Sequence, residues 1–324
     1  MVAATQKTFW QQRWSTLLAW FDSAAVQVPD NASHKDIDWL RTVPFIGMHL
    51  ACLGVFWVGW SPIAVAVAVA LYLVRMFAIT GFYHRYFSHR SFKTSRFLQF
   101  IFALIGASSV QRGPIWWAAH HRHHHATTEQ ASDAHSPVQH GLWWSHTGWF
   151  LSLHNFRVQE ERVVDLRRFP ELRFLDRFDI LVPISLALGL FFTGTFFESL
   201  VPALETTGTQ MLVWGFFIST VVLYHGTFTI NSVAHRWGTR RYATADNSRN
   251  NVWLALLTLG EGWHNNHHHY PVSVKQGFYW WEIDVTYYLL RGMAALGLVW
   301  DLKPVPAARR DANRLNPEPG RPLI

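Results

Sequence analysis

The chain has 324 residues, of which 50% are hydrophobic and only 15% are charged. This composition argues against two soluble domains and indicates one membrane-embedded unit. The net charge of +7 is spread over segments that flank apolar runs, so it favours a membrane face over a nucleic-acid partner. The single cysteine, Cys52, lies within an apolar run, which excludes a disulfide framework and argues against a thiolate metal site.

Residues 1–42 are interpreted as an amphipathic arm on the membrane surface, with a helix of a soluble core as the alternative. The arm lacks the compact apolar region and cleavage site of a signal peptide. Its apolar positions follow helical spacing and are Trp10, Trp14, Leu17, Leu18 and Phe21. A second surface helix is predicted from the spacing of Leu166, Phe169, Leu172, Leu175 and Phe178.

Four apolar stretches approach the roughly 20 residues that a helix needs to cross a bilayer. They fall at residues 43–60, 63–82, 179–197 and 210–230. The first two form a hairpin around Ser61 and Pro62, and the second is interrupted only by Arg75. The apolar segment 97–110 is too short to cross and is interpreted as interfacial or re-entrant.

The basic residues predict the orientation of the chain. The short connections at residue 61 and at 198–209 contain no Lys or Arg. By the positive-inside rule, both termini and all histidine clusters are then cytoplasmic. The segment 277–299 is hydrophobic enough to suggest a fifth span, but its charged residues favour a helix in a cytoplasmic cap. The membrane domain thus covers residues 43–303, and residues 304–324 are expected to form a loosely ordered tail.

Nineteen histidines point to metal chemistry, and most of them lie in or near three clusters. Residues at i, i+3 and i+4 share one face of a helix, so each such cluster is expected to converge on one ion. The third cluster has this spacing at His264, His267 and His268. The middle cluster has it in two frames, which spacing alone cannot separate: His121, His124 and His125, or His120, His123 and His124. A looser pair is formed by His84 and His89.

Three clusters at the ends of predicted spans indicate one polymetal site closed by tertiary folding. Eight or more imidazoles exceed the ligand number of one ion, so two ions are implied. Imidazole suits Zn, Cu, Fe and Ni, and since zinc normally takes four ligands, two redox-active irons fit the count better. A metal transporter, the remote alternative, would place ionisable ligands near the bilayer midplane, whereas these histidines lie beyond the helix ends.

The runs His84–His89, His121–His125 and His264–His268 resemble the three histidine boxes of the membrane fatty-acid desaturases, and most closely those of the stearoyl-type Δ9 enzymes. The run Asn231–His235 is similar to a further motif of that family, and the similarity covers roughly residues 40–303. The resemblance implies an all-α membrane protein with four transmembrane helices and a cytoplasmic helical cap that holds a histidine-rich di-iron site. It implies that Asn231 reaches the second iron through water, and that the ligands are His84, His89, His121, His124, His125, His235, His264, His267 and His268.

Residues near the histidine boxes are expected to support the metal ligands. The resemblance selects the frame of the middle cluster that begins at His121, so His120, His123 and His269 are expected to contact solvent or the ligand side chains. Carboxylates usually fix ligand tautomers, and the candidates are Asp133, Asp246 and Glu261. His135 and His146 are expected to orient ligands or substrate.

The implied reaction uses O2 to place a cis double bond, Δ9 in stearoyl-type enzymes, in the acyl chain of a fatty acyl-CoA. Acyl chains in membrane lipids or on a carrier protein are alternatives, as are hydroxylation and alkyne formation. Two electrons per turnover are expected from an external donor, either a ferredoxin or a small haem cytochrome with its reductase, because the chain has no haem-binding or Cys-rich extension.

Substrate contacts are predicted from position along the second span. Tyr72 lies ~18 Å and Met76 ~12 Å before His84 at 1.5 Å per residue, so either is expected to stop the acyl chain. Trp149, which follows the second box, is placed beside the substrate by the resemblance. Arginines suit the phosphates of coenzyme A or of lipid headgroups, and the candidates are Arg112, Arg157, Arg168 and Arg241.

Overall fold

The computed structural model describes residue 14 and residues 18–26, 28–29 and 31–315. Residues 1–13, 15–17, 27 and 30 of the amphipathic arm expected at residues 1–42, among them Trp10 and Leu17, therefore lie outside the described residues, as does 316–324 of the expected tail. The described part is mostly helical, and its one sheet is a short antiparallel pair in which Lys93–Thr94 pairs with Val299–Trp300.

Four helices are long and apolar enough to cross a membrane, which confirms the number of predicted spans. In chain order they are Trp39–Val58, Pro62–Ser88, Leu181–Leu200 and Gly208–His235. The second and fourth have 27 and 28 residues, more than the roughly 20 that a bilayer requires. Their carboxyl-terminal extensions carry His84 and His235 to one end of the bundle.

Local capping sets where the spans begin and end. The Ser61 side chain accepts a hydrogen bond from Ala64 N, and Pro62 occupies the first helical turn, where no amide donor is needed. Thr207 and Gln210 form a capping box at the start of the fourth span. The first span ends at Gly59, whose φ of 66° favours glycine. The turn between the first two spans is therefore as short as the sequence predicted.

Arg75, which interrupts the second span, is fully buried. Its guanidinium donates to the Ser219 and Thr220 hydroxyls at 2.7 and 2.8 Å, and to the Ser108 carbonyl at 3.3 Å. A cation at membrane depth is tolerated where protein groups replace its water. Arg75 thus joins the second span to the fourth.

The remaining helices form a cap around the histidine-bearing ends of the spans. They are Arg96–Ala107, Pro114–Thr127, Pro137–His140, Val164–Arg167, Pro170–Arg177, Val252–Leu257, His264–His269, Val285–Ala295 and Ala307–Asp311. Short 3₁₀ or π turns lie at Ser23–Ala25, Trp144–Gly148, Trp149–Leu151, His154–Phe156, Glu160–Arg162 and Pro202–Leu204. The apolar Arg96–Ala107 has 12 residues and packs on the extension of the second span, where the rings of Phe82 and Phe102 stack 3.8 Å apart.

Two cap segments differ in detail from the sequence predictions, and a third agrees with them. The surface helix expected across 166–178 is divided into two helices, because Pro170 has no amide hydrogen and begins a new one. The segment 277–299 contains a helix of 11 residues, about half the length of a span, as expected for a cap helix. The start of the expected tail is ordered: it includes Ala307–Asp311, and the Arg310 carbonyl accepts a hydrogen bond from Tyr242 Oη at 2.7 Å.

Asp176 caps the amino-terminal end of Pro114–Thr127, the helix that carries the middle histidine cluster. Its Oδ1 accepts hydrogen bonds from Ile115 N at 3.1 Å and Trp116 N at 2.8 Å. Gly113 leaves room for the carboxylate, because a Cβ there would lie 2.4 Å from Asp176 Oδ1. Burial raises the pKa of Asp176 to about 6, although the two amide donors lower it.

We expect the Asp176→Asn variant to lose a pH dependence of stability that wild type has in the acid range. The folded pKa of about 6 exceeds the ordinary 3.8, so between these values only the folded protein binds the proton. The contribution of Asp176 to the free energy of unfolding therefore rises as the pH falls from 7 to 4, by on the order of 2 kcal/mol. Thermal melting in detergent measures it, and a wild-type-minus-variant difference that does not change with pH would contradict it.

Candidate metal centre

Nine histidines form two groups at one end of the spans, and the ligand nitrogens of each group all lie within 4.8 Å of one another. Group one comprises His84, His89, His121, His125 and His267. Group two comprises His124, His235, His264 and His268. These are the nine histidines that the resemblance implied. The middle cluster therefore contributes the frame that begins at His121, and not the one that begins at His120.

Each helical cluster is divided between the groups, which corrects our expectation that one cluster converges on one ion. Successive residues of an α-helix point about 100° apart, so the residues at i+3 and i+4 diverge while i and i+4 stay on one face. The pairs at i and i+4 accordingly share a group, and the i+3 residue enters the other one. The pairs are His121 with His125 and His264 with His268, and the i+3 residues are His124 and His267.

The looser pair, His84 and His89, is brought together by the π-helical winding of Ala78–Ser88. In a π-helix the hydrogen bonds join residues five apart, as His89 N does with the His84 carbonyl at 3.2 Å. Residues five apart become neighbours, and the two imidazole centroids lie 4.9 Å apart. The spacing of this pair therefore fits the local backbone.

The Nε2 atoms of the imidazoles point into the groups. His84 Nε2 lies 3.1 Å from His267 Nε2 in group one, and His235 Nε2 lies 3.0 Å from His264 Nε2 in group two. The buried His268 Nε2 has no hydrogen-bond partner among the described residues. Buried nitrogens with unused lone pairs that face one another are suited to metal ligation. Nine of them exceed what one ion takes, so the set fits two ions, and imidazole donors suit iron.

Carboxylates hold the outer ring nitrogens of three ligand candidates, and they are the three acids proposed from the sequence. The contacts join Glu261 to His84 Nδ1 at 2.5 Å, Asp133 to His124 Nδ1 at 3.0 Å and Asp246 to His268 Nδ1 at 2.7 Å. An acceptor on Nδ1 fixes the proton there and leaves Nε2 free for a metal.

Two further supporting residues were missed by the sequence analysis. Glu129 Oε1 lies 3.5 Å from His235 Nδ1, and the same carboxylate accepts from the backbone and side chain of Asn247. Gln276 Nε2 lies 3.3 Å from His84 Nδ1 and 3.5 Å from His267 Nδ1. In the sequence, the only indication of a role for Glu129 was its position shortly after the middle cluster. Nothing in the sequence indicated a role for Gln276.

The electrostatics of the cap favour neutral imidazoles beside ionised carboxylates. Burial lowers the pKa of His264 and of His267 well below the ordinary value, and neighbouring imidazoles lower it further. Burial alone would raise the pKa of Glu261, but His84 and Arg85 outweigh it and lower the pKa to about 2. Metal binding requires the imidazole to be neutral, so these two side chains release little proton when they accept an ion.

A cavity with an empty volume of about 1700 Å³, its opening included, connects the protein surface with both groups. Exposed Trp20 and the arginines Arg41 and Arg112 belong to its lining, and so do the buried His84 and His264. Most of the other lining side chains are apolar or aromatic. Such a cavity suits a long apolar ligand that reaches the histidines at one point along its length.

The five residues predicted to contact substrate separate into two sets. Met76, Trp149 and Arg112 line the cavity, whereas Tyr72 and Arg157 do not. The Tyr72 hydroxyl donates to the Leu257 carbonyl at 2.6 Å, so it joins the second span to Val252–Leu257. Arg157 donates to the Val28 carbonyl. Asn231 lines the cavity as well, one helical turn before His235.

The other candidate residues have varied surroundings. His120 and His135 line the cavity, while His146 Nδ1 lies 2.9 Å from Ser232 Oγ. His123 Nε2 lies 2.8 Å from the Ser132 carbonyl, and His269 Nε2 lies 2.7 Å from the Arg309 carbonyl. Of the arginines proposed for phosphate, Arg168 lies over the Phe169 ring and Arg241 pairs with buried Glu282.

Fold and site together define a class: a four-span helical membrane protein in which two groups of buried and half-buried histidines adjoin an apolar cavity. Within that class the chain belongs to the fatty acid desaturase family, whose family model matches residues 43–301. The family carries out oxidoreductase chemistry, which agrees with two histidine groups whose geometry could hold metal ions.

The chain is similar to desaturases with several acyl carriers. It is 37% identical to a probable chloroplastic lipid desaturase of Arabidopsis thaliana, over 94% of this chain and 75% of that protein. It is 36% identical to an sn-2 palmitoyl-lipid 9-desaturase of Nostoc sp. (strain 36), over 83% of this chain and 92% of that protein. It is also 36% identical to an acyl-CoA 5-desaturase of Anemone leveillei, over 87% of each chain.

Proposed function

We propose that this protein is an O2-dependent fatty acyl desaturase that uses two irons. The observation that carries the proposal is the pair of histidine groups beside a large cavity with a mainly apolar lining. Group one would hold one iron, and group two, with Asn231 nearby, would hold the other. Bound iron would supply the oxidising power that takes one hydrogen from each of two neighbouring methylenes.

The protein's own residues position the acyl chain and the protons. The cavity wall, which includes Met76 and Trp149, fixes which carbon pair lies beside the histidines and keeps bulk water away. Glu261, Asp133 and Asp246 keep protons on the outer ring nitrogens, so that the inner nitrogens stay free. Neighbouring methylenes are almost alike chemically, so position along the cavity decides where the double bond forms.

For the finer specificity we propose a cis double bond at Δ9 and an acyl-CoA substrate. Arg41 and Arg112 support a phosphate-bearing carrier, because both line the cavity and their guanidinium carbons lie 3.7 and 4.0 Å from the centre of one ring, that of Phe156. A lipid-bound acyl chain is the second candidate, and the names of the lipid desaturases among the relatives favour it. The cap and both termini are proposed to face the cytoplasm, where an external electron donor is available.

Expression in a host that lacks its own desaturase, followed by double-bond mapping of total fatty acids, tests the proposal. We expect an alkene without new oxygen in chains that carry no other modification. An alcohol product would identify the enzyme as a hydroxylase, and an alkyne product would identify it as an acetylenase. Stable metal uptake by intact cells without any fatty-acid product would instead support a transporter. Purified protein supplied with stearoyl-CoA or with stearoyl phosphatidylcholine then separates the two carriers.

The Met76→Ala variant is expected to accept longer acyl chains. Met76 is fully buried and lines the cavity, so truncation lengthens the space beyond the histidines. Each further CH₂ that this space buries is worth about 0.8 kcal/mol, or about a fourfold gain in relative kcat/KM. Competition between acyl chains of different length measures the shift. Tyr72→Phe is the control, because Tyr72 does not line the cavity; a shift in Tyr72→Phe that equals that of Met76→Ala would contradict the assignment.

A further inference from the structure

The cap contains a second cavity, which is separate from the acyl cavity. We call it the cap cavity; its empty volume is about 1220 Å³, its opening included. Its lining residues come from the segments 274–278, 287–294 and 299–310, and none of them lines the acyl cavity. A molecule bound here is therefore distinct from the acyl chain that lies beside the histidine groups.

The wall of the cap cavity is mainly apolar. Phe278 and Val299 are buried side chains of this wall. Tyr287 and Arg291 are one turn apart on the helix Val285–Ala295, and both line the cavity as well. An apolar wall with a few polar groups suits an amphiphilic ligand better than a small hydrated ion.

Two cations of the cap cavity, Lys275 and Arg291, lie around one aromatic ring. Lys275 Nζ lies 5.7 Å and the guanidinium carbon of Arg291 lies 6.0 Å from the centre of the Tyr287 ring. Arg291 also donates to Tyr287 Oη at 3.3 Å. In the part of the chain that the structure describes, neither cation forms an ion pair with a carboxylate. Both are therefore available to an anionic ligand.

The acids of the surrounding segment do not neutralise these two cations. The segment 274–311 contains four acids, and each pairs with another cation. The pairs are Glu282 with Arg241, Asp284 with Arg85, Asp301 with Lys93 and Asp311 with Arg310. The other charged lining residues, Asp301 and Arg310, thus belong to balanced pairs. Lys275 and Arg291 leave the described wall of the cavity with two positive charges in excess.

The surface beside the cap cavity is suited to the membrane interface. Large apolar side chains in the segment 280–300 are exposed, and they are Trp280, Ile283, Leu289, Leu296, Leu298 and Trp300. Tryptophan and leucine beside basic residues are typical of protein surfaces that lie among lipid headgroups. The basic cavity and the apolar surface together match the two ends of a lipid.

We propose that the cap cavity binds an anionic phospholipid. Lys275 and Arg291 contact its phosphate, and the apolar wall and the exposed leucines contact its acyl chains. Basic side chains near a membrane surface attract anionic headgroups, whereas a zwitterionic headgroup brings a cation of its own. The excess of two positive charges therefore favours a lipid with a net negative charge.

The segments that line the cap cavity also contact the metal centre and the acyl cavity. Gln276, next to Lys275, has its Nε2 3.3 Å from His84 Nδ1. Thr286 Oγ1 lies 2.7 Å from the Oγ1 of Thr80, which lines the acyl cavity. A lipid that binds only the folded protein stabilises it, so we expect bound lipid to raise the melting temperature.

The test compares wild type with the double variant Lys275→Gln and Arg291→Gln, both delipidated in neutral detergent. Native mass spectrometry measures the affinity of the first bound lipid for dioleoyl phosphatidylglycerol and for dioleoyl phosphatidylcholine. We expect wild type to prefer phosphatidylglycerol, and the double variant to lose at least about tenfold in affinity for it. Phosphatidylglycerol should raise the melting temperature of wild type but not that of the double variant.

Three variants make the result specific. Arg173→Gln with Lys35→Gln removes the same two charges from exposed side chains outside the cavity, so it should bind like wild type. Lys275→Arg with Arg291→Lys keeps both charges and should keep the preference. Arg291→Gln alone changes an exposed side chain, which leaves the core intact, and should lose about fivefold in affinity.

Unchanged affinity for phosphatidylglycerol in the double variant overturns the proposal, as does an equal loss in the Arg173 and Lys35 variant. Soluble glycerol 3-phosphate that displaces the lipid at equal concentration would identify a site for a small phosphate instead. The binding measurements require no turnover, so their outcome is independent of whether the protein forms a double bond.

Discussion

Alanine in place of His124 is expected to abolish double-bond formation, while alanine at the adjacent His123 leaves most of it intact. The two residues are neighbours on Pro114–Thr127, so the variants share helix context and change in volume. His124 belongs to group two, and Asp133 holds its Nδ1 at 3.0 Å. His123 belongs to neither group, and its Nε2 contacts the Ser132 carbonyl. His124 occurs in both frames of the middle cluster and His123 only in the frame that begins at His120, so the activity of His123→Ala tests which frame carries the chemistry.

The expected loss in His124→Ala is more than about 100-fold, because removal of a residue that merely supports a ligand already costs about 10–100-fold in metal affinity or activity. Fatty-acid analysis after expression in a desaturase-deficient host measures product, and elemental analysis of purified protein measures iron per chain. Iron content should fall in His124→Ala and stay at the wild-type level in His123→Ala. Equal activity of both variants, or a greater loss at His123, would refute the assignment of group two.

The fold was largely predictable because a bilayer imposes a simple rule on a sequence. Any apolar stretch of about 20 residues satisfies its own backbone as a helix, so the four spans are readable without tertiary information. Apolar composition ends the second span near residue 82, and we expected its helix to continue beyond that point with the histidines of the first box. The helix does continue, to Ser88, but with π-helical winding from Ala78. Hydropathy carries no signal for that winding, although the five-residue spacing of His84 and His89 does.

The identity of the ligand candidates was predictable, but their arrangement in two groups was not. Histidine spacing indicates which residues face together along one helix, but the division of each cluster between two groups depends on helices that are distant in sequence. His267, for example, meets His84, and His264 meets His235. Supporting contacts such as Glu129 with His235 join residues that local pattern cannot connect. The resemblance supplied the set of nine, and only the tertiary structure supplies the grouping.

Substrate contacts were the least predictable feature. Helical rise places Tyr72 and Met76 at plausible depths, yet depth does not determine which side of the helix faces the cavity. The Tyr72 hydroxyl bonds to Leu257, whereas Met76 lines the cavity. The two residues are one turn apart, so their different environments follow from the packing of Val252–Leu257 against the second span. A sequence alone does not contain that packing.

The largest effect on stability is expected from Arg85→Met. Arg85 lies inside the first histidine box and is almost fully buried. Its guanidinium contacts Glu261 at 2.9 Å and Asp284 at 3.0 Å, and it donates to the Val274 carbonyl at 2.7 Å. Methionine has a similar length but no charge, so the variant leaves two buried carboxylates without their cation. Removing one partner of a buried ion pair costs about 3–5 kcal/mol.

The same substitution should weaken metal binding, because Glu261 also holds His84 Nδ1 at 2.5 Å. Arg85 is one of the two neighbours that lower the pKa of Glu261, so without it the carboxylate is less strongly ionised and holds the imidazole less firmly. We therefore expect a lower melting temperature and reduced iron content together. Arg96→Met is the matched control, since Arg96 forms its ion pair with Glu171 on the exposed surface and should melt like wild type. Wild-type melting in Arg85→Met would show that neither carboxylate depends on this cation, because a total stability of about 5–15 kcal/mol cannot hide a loss of that size.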